Sequence, residues 1–389
     1  MDITKATVTF DLPTHWLHGI GYAKKVGEIL KAKGAKNPLV ITDKILYELG
    51  TTKTVTDALE AQGLKYEVCS DAQTEPRVKD FDKLAKSLDL SRFDSIVSVG
   101  GGSVIDTAKG LTVIATWGGS ILDYDGWNNF PKVPDWPHIA IPTTAGTGSE
   151  VSDGGVFLDE IRNTKFIVIS KKISPTVALT DPEMSKGMPP KVTAFSGADA
   201  LSHAIESYLS KGANIATEMF SLKAVELVSK YLPRAYANGN DMEARNAVQM
   251  GATMAMISGC NVYLGLAHSI DMPLGGIYHM PHGQACSMPL PAVLRYNTPA
   301  VPEKIKTVFK TMNLWDDKLS ETEAFEKGYA GMEAFLNNLG ISTHLADFGY
   351  NESEHLDSIV KSTLESAQCN TNPRTPTYED VAGIIRSMV

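Results

Sequence analysis

The first half of the chain alternates short β-rich runs with segments of helical spacing, and this order constrains the fold most strongly. Four runs are predicted to be strands: 38–42 (PLVIT), 65–69 (KYEVC), 95–99 (SIVSV) and 138–142 (HIAIP). Their apolar residues are mostly consecutive, as in parallel strands that are covered on both faces. Segments with helical spacing, such as 44–61 and 78–88, lie between them. The repeated strand–helix order predicts an α/β domain with a parallel, doubly wound sheet.

The second half of the chain has a different character. Two further runs, 165–170 and 176–179, are predicted strands, but from Lys191 onward the pattern is one of long helices broken at proline or glycine. The length of 389 residues is enough for two domains. We therefore predict an α/β domain over residues 1–183 and an all-helical domain over residues 184–389.

Charge and hydropathy exclude several kinds of partner. The formal net charge is −9 and no block of lysine or arginine stands out, so a nucleic-acid partner is not expected. The segment 246–270 carries no charge, but it contains Gln249, Asn261 and His268. A membrane span tolerates such polar groups poorly, so we expect this segment to be a helix buried inside the protein, with no membrane partner.

The cysteines and the start of the chain indicate where the protein works. The first ten residues, MDITKATVTF, lack a basic stretch followed by a long apolar one, so no secretory signal is expected. The four cysteines are far apart and form no CxxC pair. No disulfide framework is therefore predicted, and a cytoplasmic location is expected.

A run of three glycines and a serine, Gly100-Gly101-Gly102-Ser103, follows one predicted strand and opens a predicted helix over 104–115. Glycines let the backbone approach a ligand closely, and a helix start offers unpaired N–H groups to a phosphate. A tight turn that needs glycine for its geometry alone would have the same sequence. The run is not the GxGxxG fingerprint, so an ordinary Rossmann assignment does not follow. The pattern favours a phosphate-binding turn.

Two other segments are candidates for binding a polar ligand. Asp43 ends the predicted strand 38–42, where a carboxylate can accept the ribose hydroxyls of an adenosine and repel a 2′-phosphate. It can equally cap the helix that starts at Lys44, and its position alone does not separate the two roles. The run 142–150 (PTTAGTGSE) is rich in hydroxyls and backbone donors, which suits a polar ligand as well as it suits an ordinary polar loop.

Histidines and one aspartate in the second half suggest a metal. Asp199 and His203 are four residues apart in a helical pattern, so both side chains lie on one face. Such a pair can bind a divalent cation or simply form a hydrogen bond. His268 and His282 lie fourteen positions apart in apolar stretches, with His279 nearby. Buried imidazoles need partners, and one shared metal would satisfy three at once, so the set taken together favours a mixed N/O metal site.

Several motifs occur in one order along the chain: HGIG (18–21), GGGSVIDTAK (100–109), PTTAGTGSEV (142–151), GADALSHAIE (197–206), PHG (281–283) and NPR (372–374). Together they resemble the iron-containing, group III alcohol dehydrogenase family, which shares its fold with glycerol dehydrogenase and dehydroquinate synthase. The resemblance covers essentially the whole chain. It implies an NAD-binding α/β domain and a helical, metal-binding catalytic domain of the dehydroquinate synthase-like fold.

The resemblance also assigns roles to residues. It implies one divalent ion, Fe²⁺ or Zn²⁺, bound by Asp199, His203, His268 and His282. The candidate catalytic residues are His268, His282 and His279. Residues implied to bind NAD(H) are Asp43, Gly100, Gly101, Gly102, Ser103, Asp106, Thr143, Thr144, Thr147, Ser149, Lys165 and Leu179. The glycine run would hold the pyrophosphate, and an acidic residue at position 43 usually accompanies a preference for NAD over NADP.

Three positions depart from the family pattern. Members commonly have a second histidine four residues after the third metal ligand, where this chain has Met272. Methionine cannot relay a proton or coordinate a hard ion well, so the proton path and substrate pocket differ here, with His279 or a water as substitutes. Ala198 stands where methionine is frequent and is expected to alter packing only. The residues Thr74-Glu75-Pro76 replace a common PNP beside the expected cofactor site.

The activity that the resemblance implies is reversible hydride transfer between NAD(H) and a small aldehyde or its primary alcohol, with the metal polarising the substrate oxygen. Family members form dimers and larger assemblies, so a homodimer or higher homo-oligomer is expected. One alternative is a lyase of the dehydroquinate synthase type, which needs a different ligand set and a basic substrate pocket. The other is an inactive cofactor-binding homologue, which only Met272 suggests.

Overall fold

The computed structural model of the protein describes residues 7–162 and 164–389. They form two compact units, one over Leu12–Met188 and one over Pro189–Val389 together with the described residues that precede Leu12. In the second unit, the backbone N–H of Asp11 donates to Asn261 Oδ1 (2.7 Å). The unit boundary thus lies a few residues beyond the expected division at 183/184. Residues 1–6, which belong to the segment in which no secretory signal is expected, and residue 163 lie outside the described residues.

The Leu12–Met188 unit is built on a parallel sheet, as predicted. Its strands are β1 (His15–His18), β2 (Pro38–Ile41), β3 (Glu67–Cys69), β4 (Ser95–Gly100), β5 (Gly126–Trp127), β6 (His138–Pro142), β7 (Gly154–Asp159), β8 (Thr164–Ile169) and β9 (Val177–Thr180). Six of them pair in the order β1-β9-β6-β4-β2-β3, and every pair is parallel. Strands β5, β8 and β7 form a separate small sheet in which β7 and β8 are antiparallel.

Helices cover both faces of the large sheet. Helices α1 (Val26–Ala32) and α3 (Lys53–Ala61) contribute to the buried cluster on one face, and α4 (Val78–Ser87) and α5 (Gly102–Trp117) to the cluster on the other. The unit also contains the short helices α2 (Lys44–Glu48) and α6 (Pro182–Ser185). Successive residues of one strand enter different cores: Leu39 and Ile41 belong to one buried cluster, and Val40 to the other. This alternation explains the consecutive apolar residues of the strands. The helical segment 44–61 is interrupted, because Gly50 has a left-handed backbone (φ 73°) that separates α2 from α3.

The Pro189–Val389 unit is helical throughout its described residues, as predicted. Its helices are α7 (Pro190–Leu209), α8 (Ile215–Ala237), α9 (Met242–Val262), α10 (Leu266–Tyr278), α11 (His282–Ser287), α12 (Leu290–Asn297), α13 (Pro302–Thr311), α14 (Glu321–Asn338), α15 (Glu352–Glu365) and α16 (Tyr378–Ser387). Helix α7 is almost wholly buried from Gly197 onward. Buried hydroxyls tie α7, α8 and α9 together: Ser221 Oγ lies 3.1 Å from Ser207 Oγ and 2.7 Å from Ser258 Oγ.

The charge-free segment 246–270 is not the single helix that its composition predicts. Helix α9 ends at Val262 and α10 begins at Leu266, because Tyr263 between them has a left-handed backbone (φ 58°). Among the described helices, none alone has the length and apolar content to cross a bilayer; α9 and α10, bent by 103° at this break, meet those criteria only as a pair and only by length and composition. The break places His268 in the first turn of α10.

A buried histidine in β6 predicts an acid-sensitive stability. His138 Nε2 lies 2.8 Å from Ser98 Oγ, and burial, together with the charge of Lys109, lowers the pKa of His138 to about 3. The unfolded chain takes up this proton near pH 6.5, so the contribution is fully present above that pH and is lost as the pH falls toward 3. Relative to a His138→Gln variant, we expect the free energy of unfolding to fall by about 1.4 kcal/mol more per pH unit below about pH 6. Urea denaturation at several pH values measures this difference, and equal slopes in the two proteins would contradict it.

Candidate active site

The site in the helical unit begins with one face of helix α7. Asp199, His203 and Glu206 are spaced i, i+4 and i+7, which aligns their side chains along this face. Helices α8, α9 and α11 pack around α7, so the face is removed from water. Asp199 is only 2 % exposed. A charged carboxylate at this depth requires partners.

Two other helices bring imidazoles to Asp199. His268 comes from the first turn of α10, and His282 is the first residue of α11. The Nε2 atoms of His203, His268 and His282 each lie 3.4 Å from Asp199 Oδ1. The structure therefore brings together all four residues that the sequence suggests as metal ligands.

A glycine permits the close approach of α11 to α7. A Cβ atom built on Gly283 would lie 2.1 Å from the carbonyl oxygen of Phe195 in α7, which no side chain can do. Glycine at this position therefore lets α11 approach α7 closely enough to bring His282 to Asp199. This gives a packing reason for the glycine of the PHG motif.

Two further carboxylates lie behind the imidazoles. Glu206 Oε2 is 2.5 Å from His268 Nδ1, and Asp271 Oδ2 is 2.8 Å from His282 Nδ1. Glu206 Oε1 also accepts a hydrogen bond from the backbone N–H of Ala267 (2.7 Å). A carboxylate that accepts the Nδ1 proton fixes the ring orientation and leaves Nε2 as the available donor atom for a metal.

Sequence reasoning missed three residues of this cluster: Glu206, Asp271 and Cys286. Each one follows a predicted ligand at helical spacing. Glu206 is seven residues after Asp199, Asp271 is three after His268, and Cys286 is four after His282. That spacing is only a partial signal, because the cluster residue that each one contacts lies on another helix.

The electrostatics of the cluster favour a bound cation. Burial alone would raise the pKa of Asp199, but His203, His282 and His268 together hold it well below its usual range. Burial would likewise lower the pKa of His268, yet Glu206 and Asp199 raise it to about 9. Desolvation also opposes the charged form of His282, and Asp271 and Asp199 raise its pKa well above the usual value. The site thus attracts positive charge, as protons or as a metal ion.

The donor set fits a divalent metal. His268 Nε2 is buried and has no hydrogen-bond partner, although it lies beside the Asp199 carboxylate. A cation at the centre of the cluster would satisfy this atom and offset the buried carboxylates. Three imidazoles and one carboxylate form a mixed N/O set of the kind that binds iron or zinc. His282 is 41 % exposed, so the cluster is accessible to solvent on the side of that residue.

The candidate catalytic residue His279 has a different environment. It ends α10 with a left-handed backbone (φ 51°), and its side chain is exposed. No described contact joins it to Asp199 or to the three clustered imidazoles. Met272, where the family commonly has histidine, is 39 % exposed on the same helix.

In the Leu12–Met188 unit, the glycine run joins β4 to α5 as predicted. A Cβ atom on Gly101 would lie 3.3 Å from Thr144 Cγ2, and one on Gly102 would lie 2.9 Å from Thr147 Cγ2. The backbone N–H of Thr143 donates to the carbonyl of Gly100 (3.0 Å). Close packing of this threonine loop therefore accounts for the glycines, and it also places three hydroxyl residues beside the start of α5, where a helix leaves its first N–H groups without intrahelical partners.

A buried lysine forms hydrogen bonds with the segment that follows this threonine loop. Lys109 Nζ donates to Ser149 Oγ (3.0 Å), Ser152 Oγ (2.7 Å) and the carbonyl of Gly154 (2.6 Å), and it lies 3.6 Å from Asp106 Oδ1. Asp106 accepts a hydrogen bond from Ser149 Oγ (2.5 Å). Burial raises the pKa of Asp106, while Lys109 and Ser149 oppose that rise. Two predicted cofactor residues, Asp106 and Ser149, are thus held in one buried network.

The remaining predicted cofactor residues have defined neighbours. Asp43 follows β2, and its Oδ1 accepts from the backbone N–H of Leu46 (2.9 Å), so it caps α2. Lys165 Nζ pairs with the Glu75 carboxylate (2.6 Å), and the backbone N–H of Glu75 donates to Ser103 Oγ (3.2 Å). Leu179 lies in β9 with its side chain in the core, which leaves its backbone as the part available to a ligand.

The Leu12–Met188 unit is thus a doubly wound α/β unit, and the Pro189–Val389 unit is a helical unit that carries the cluster of Asp199 with three histidines. Sequence models of the iron-containing alcohol dehydrogenase family match residues 13–182, and those of the C-terminal part of the Fe-containing alcohol dehydrogenase family match residues 193–389. The chain belongs to this family.

Individual relatives agree along nearly the whole chain. The NAD-dependent methanol dehydrogenase of Bacillus methanolicus is 38% identical over 97% of this chain and 99% of its own. Lactaldehyde reductase of Escherichia coli (strain K12) is 32% identical over 95% of this chain and 96% of its own. A crystal structure of 1,3-propanediol oxidoreductase superposes with a TM-score of 0.93, at 32% identity over 98% of this chain and 100% of that one.

These findings confirm the predicted fold, family and reaction class. The protein is an NAD-dependent alcohol dehydrogenase or aldehyde reductase that uses one divalent metal ion.

Proposed function

We propose that Asp199, His203, His268 and His282 hold the metal ion, and that the enzyme interconverts a small aldehyde and its primary alcohol. The observation that supports this most strongly is the convergence of three Nε2 atoms, each 3.4 Å from Asp199 Oδ1. The buried, unbonded Nε2 of His268 gives it further support.

The protein's own groups prepare the site for the reaction. When bound, the metal ion supplies a Lewis acid for the substrate oxygen, and the nicotinamide supplies or accepts the hydride. Glu206 and Asp271 hold the Nδ1 protons of His268 and His282, which keeps the Nε2 atoms directed at Asp199. The exposed His282 marks the side of the cluster from which a substrate can enter.

The NAD(H) site is proposed from the α/β unit. The N–H groups at the start of α5, from Gly100 to Ser103, bind the pyrophosphate, and the neighbouring Thr143, Thr144 and Thr147 add hydroxyl donors. Asp43 selects NAD over NADP because its second carboxylate oxygen can accept the ribose hydroxyls and repels a 2′-phosphate. Lys165 and the backbone of Leu179 complete the ribose and nicotinamide end, and the Asp106–Ser149 network supports the α5 start.

The proton path differs from the family pattern at Met272. A thioether cannot donate or accept a proton. A water molecule, or His279 at the end of the same helix, therefore relays the proton in place of the family's histidine. We propose that the partly exposed Met272 instead adds an apolar surface to the substrate pocket, which favours an unsubstituted aldehyde over a hydroxylated one.

Restoring the histidine tests this role. The Met272→His variant is expected to shift the ratio of kcat/KM between an unsubstituted and a hydroxylated aldehyde by roughly tenfold, because one polar contact in a pocket changes discrimination by that order. Steady-state kinetics on matched aldehydes of equal chain length measure the ratio, with Met219→His, an exposed methionine on α8, as the control. An equal gain with every aldehyde would mean that Met272 is a defect and not a selective element.

The proposed activity is tested by NADH oxidation with metal-depleted protein, restored anaerobically with Fe²⁺ or Zn²⁺. The panel contains neutral, hydroxylated and anionic small aldehydes, and NADPH is assayed in parallel. We expect turnover only with restored metal, with NADH preferred, and with neutral aldehydes above anionic ones because three carboxylates surround the site. Metal binding without any aldehyde turnover would reject the dehydrogenase mechanism and favour the lyase.

The cellular compartment and the oligomeric state of the enzyme are also proposed. All four cysteines are buried, and no disulfide occurs among the described residues. This supports a reducing, cytoplasmic compartment. Self-association into a homodimer or larger assembly is proposed from the family resemblance alone.

A further inference from the structure

A cysteine occupies a position in the cluster that neither the sequence motifs nor the family assignment explains. Cys286 lies on α11, four residues after His282, and its side chain is fully buried. Its Sγ is 3.4 Å from Asp199 Oδ1, the same oxygen that three imidazole nitrogens approach at the same distance. The donor atoms of Asp199, His268, His282 and Cys286 all lie within 4.8 Å of one another.

The 3.4 Å separation of Cys286 Sγ and Asp199 Oδ1 matches that between two ligands of one ion. Metal–ligand bonds to oxygen, nitrogen and sulfur are about 2.0–2.3 Å long, so two ligands of one ion lie at most about 4.6 Å apart. At a separation of 3.4 Å, two such ligands subtend an angle of about 100–110° at the ion. The distance between Cys286 Sγ and Asp199 Oδ1 is therefore that of two neighbouring ligands.

The Cys286 thiol has one other hydrogen-bond contact, and that contact is weak. Apart from Asp199, its hydrogen-bond acceptor is the carbonyl of Gly283 at 3.7 Å, a long contact within its own helix. Cys369, a second buried cysteine of the same unit, instead makes a shorter contact of 3.2 Å to the carbonyl of Thr363. Cys286 differs from it in facing the imidazoles and carboxylate that form the metal site.

We propose that Cys286 is an additional sulfur ligand of the metal ion, and that it shifts the site's preference toward zinc. This inference rests on the proposed metal site at Asp199. When the ion binds, the thiol S–H bond breaks, the sulfur keeps the electron pair as a thiolate, and the proton passes to the solvent. A thiolate is a softer donor than a carboxylate or an imidazole, and it strengthens the binding of zinc more than that of ferrous iron.

Cobalt(II) reports the ligand directly, because a thiolate bound to it gives a sulfur-to-cobalt charge-transfer band in the near ultraviolet. We expect the full-length protein, depleted of metal and loaded anaerobically with Co²⁺, to show this band. The band should persist in the matched control Cys369→Ser and disappear in Cys286→Ser, which retains a hydrogen-bonding side chain of similar size. The Zn²⁺ dissociation constant of Cys286→Ser should rise by about 10- to 100-fold, and that of Fe²⁺ by less.

The spectrum of the cobalt-loaded wild-type protein tests whether a sulfur atom binds the metal ion, even if a variant fails to fold. Cobalt bound with visible d–d bands but without the sulfur band overturns the role of Cys286 and leaves the Asp-His₃ site intact. A band that persists in Cys286→Ser assigns the sulfur to another residue and also overturns it. If no cobalt binds, the proposed metal site itself fails, and this inference fails with it.

Discussion

The Asp199→Asn variant is expected to lose metal binding, and its kcat/KM for aldehyde reduction should fall at least about a thousandfold. Asparagine retains the size of the side chain but removes the charge around which three imidazoles are arranged. The imidazoles alone would then have to bind a dication without the carboxylate that offsets its charge. A thousandfold loss corresponds to about 4 kcal/mol of transition-state stabilisation, within the several kcal/mol that a bound Lewis acid contributes.

Metal stoichiometry and steady-state kinetics, measured on the same preparation, test this expectation. The matched control is Asp357→Asn, which removes an exposed carboxylate on α15 of the same unit that pairs with Lys361. The control should retain its metal and its activity. An Asp199→Asn protein that keeps one ion per chain and more than about a tenth of its activity would show that Asp199 is not a ligand.

The Lys109→Met variant is expected to lower the free energy of unfolding of the α/β unit by about 3–5 kcal/mol. The lysine side chain is fully buried, and its ammonium group satisfies two hydroxyls, one carbonyl and the Asp106 carboxylate. Removing one partner of a buried ion pair leaves an uncompensated charge, and the cost of that charge exceeds the value of the pair. Methionine fills most of the volume, so the loss is electrostatic rather than a cavity effect.

Urea denaturation, followed by a signal from the Leu12–Met188 unit, measures this loss. The double variant Asp106→Asn/Lys109→Met should recover part of the stability, because it leaves no buried charge unpaired. Lys44→Met, at an exposed site on α2, serves as the control and should change the stability little. A loss below about 1 kcal/mol in Lys109→Met would show that Asp106 is protonated or hydrated in the native protein.

The sequence predicted those parts of the fold that depend on local pattern. Consecutive apolar residues marked the strands buried on both faces, such as β2 and β4, since Leu39 and Val40 enter different cores. Strand β1 was missed because its four residues, HWLH, include two histidines. It becomes a strand only by pairing with β9, more than 150 residues away, which no local pattern reveals.

The candidate metal-binding residues could be predicted from the sequence only where local spacing groups them. Asp199 and His203 lie on one helical face, a spacing that can be read directly from the sequence. Glu206 and Asp271 were missed because their roles depend on pairing with histidines whose positions are set by tertiary packing; Glu206 meets His268 on a different helix. The bend between α9 and α10 was missed because a charge-free sequence carries no sign of the left-handed backbone at Tyr263.

The most direct test of the central claim is anomalous X-ray scattering from crystals of the metal-loaded enzyme. The account predicts one ion per chain, within about 2.0–2.3 Å of the Asp199 carboxylate and the Nε2 atoms of His203, His268 and His282. An ion bound elsewhere, or a loaded and active enzyme with no ion at these four residues, would contradict it.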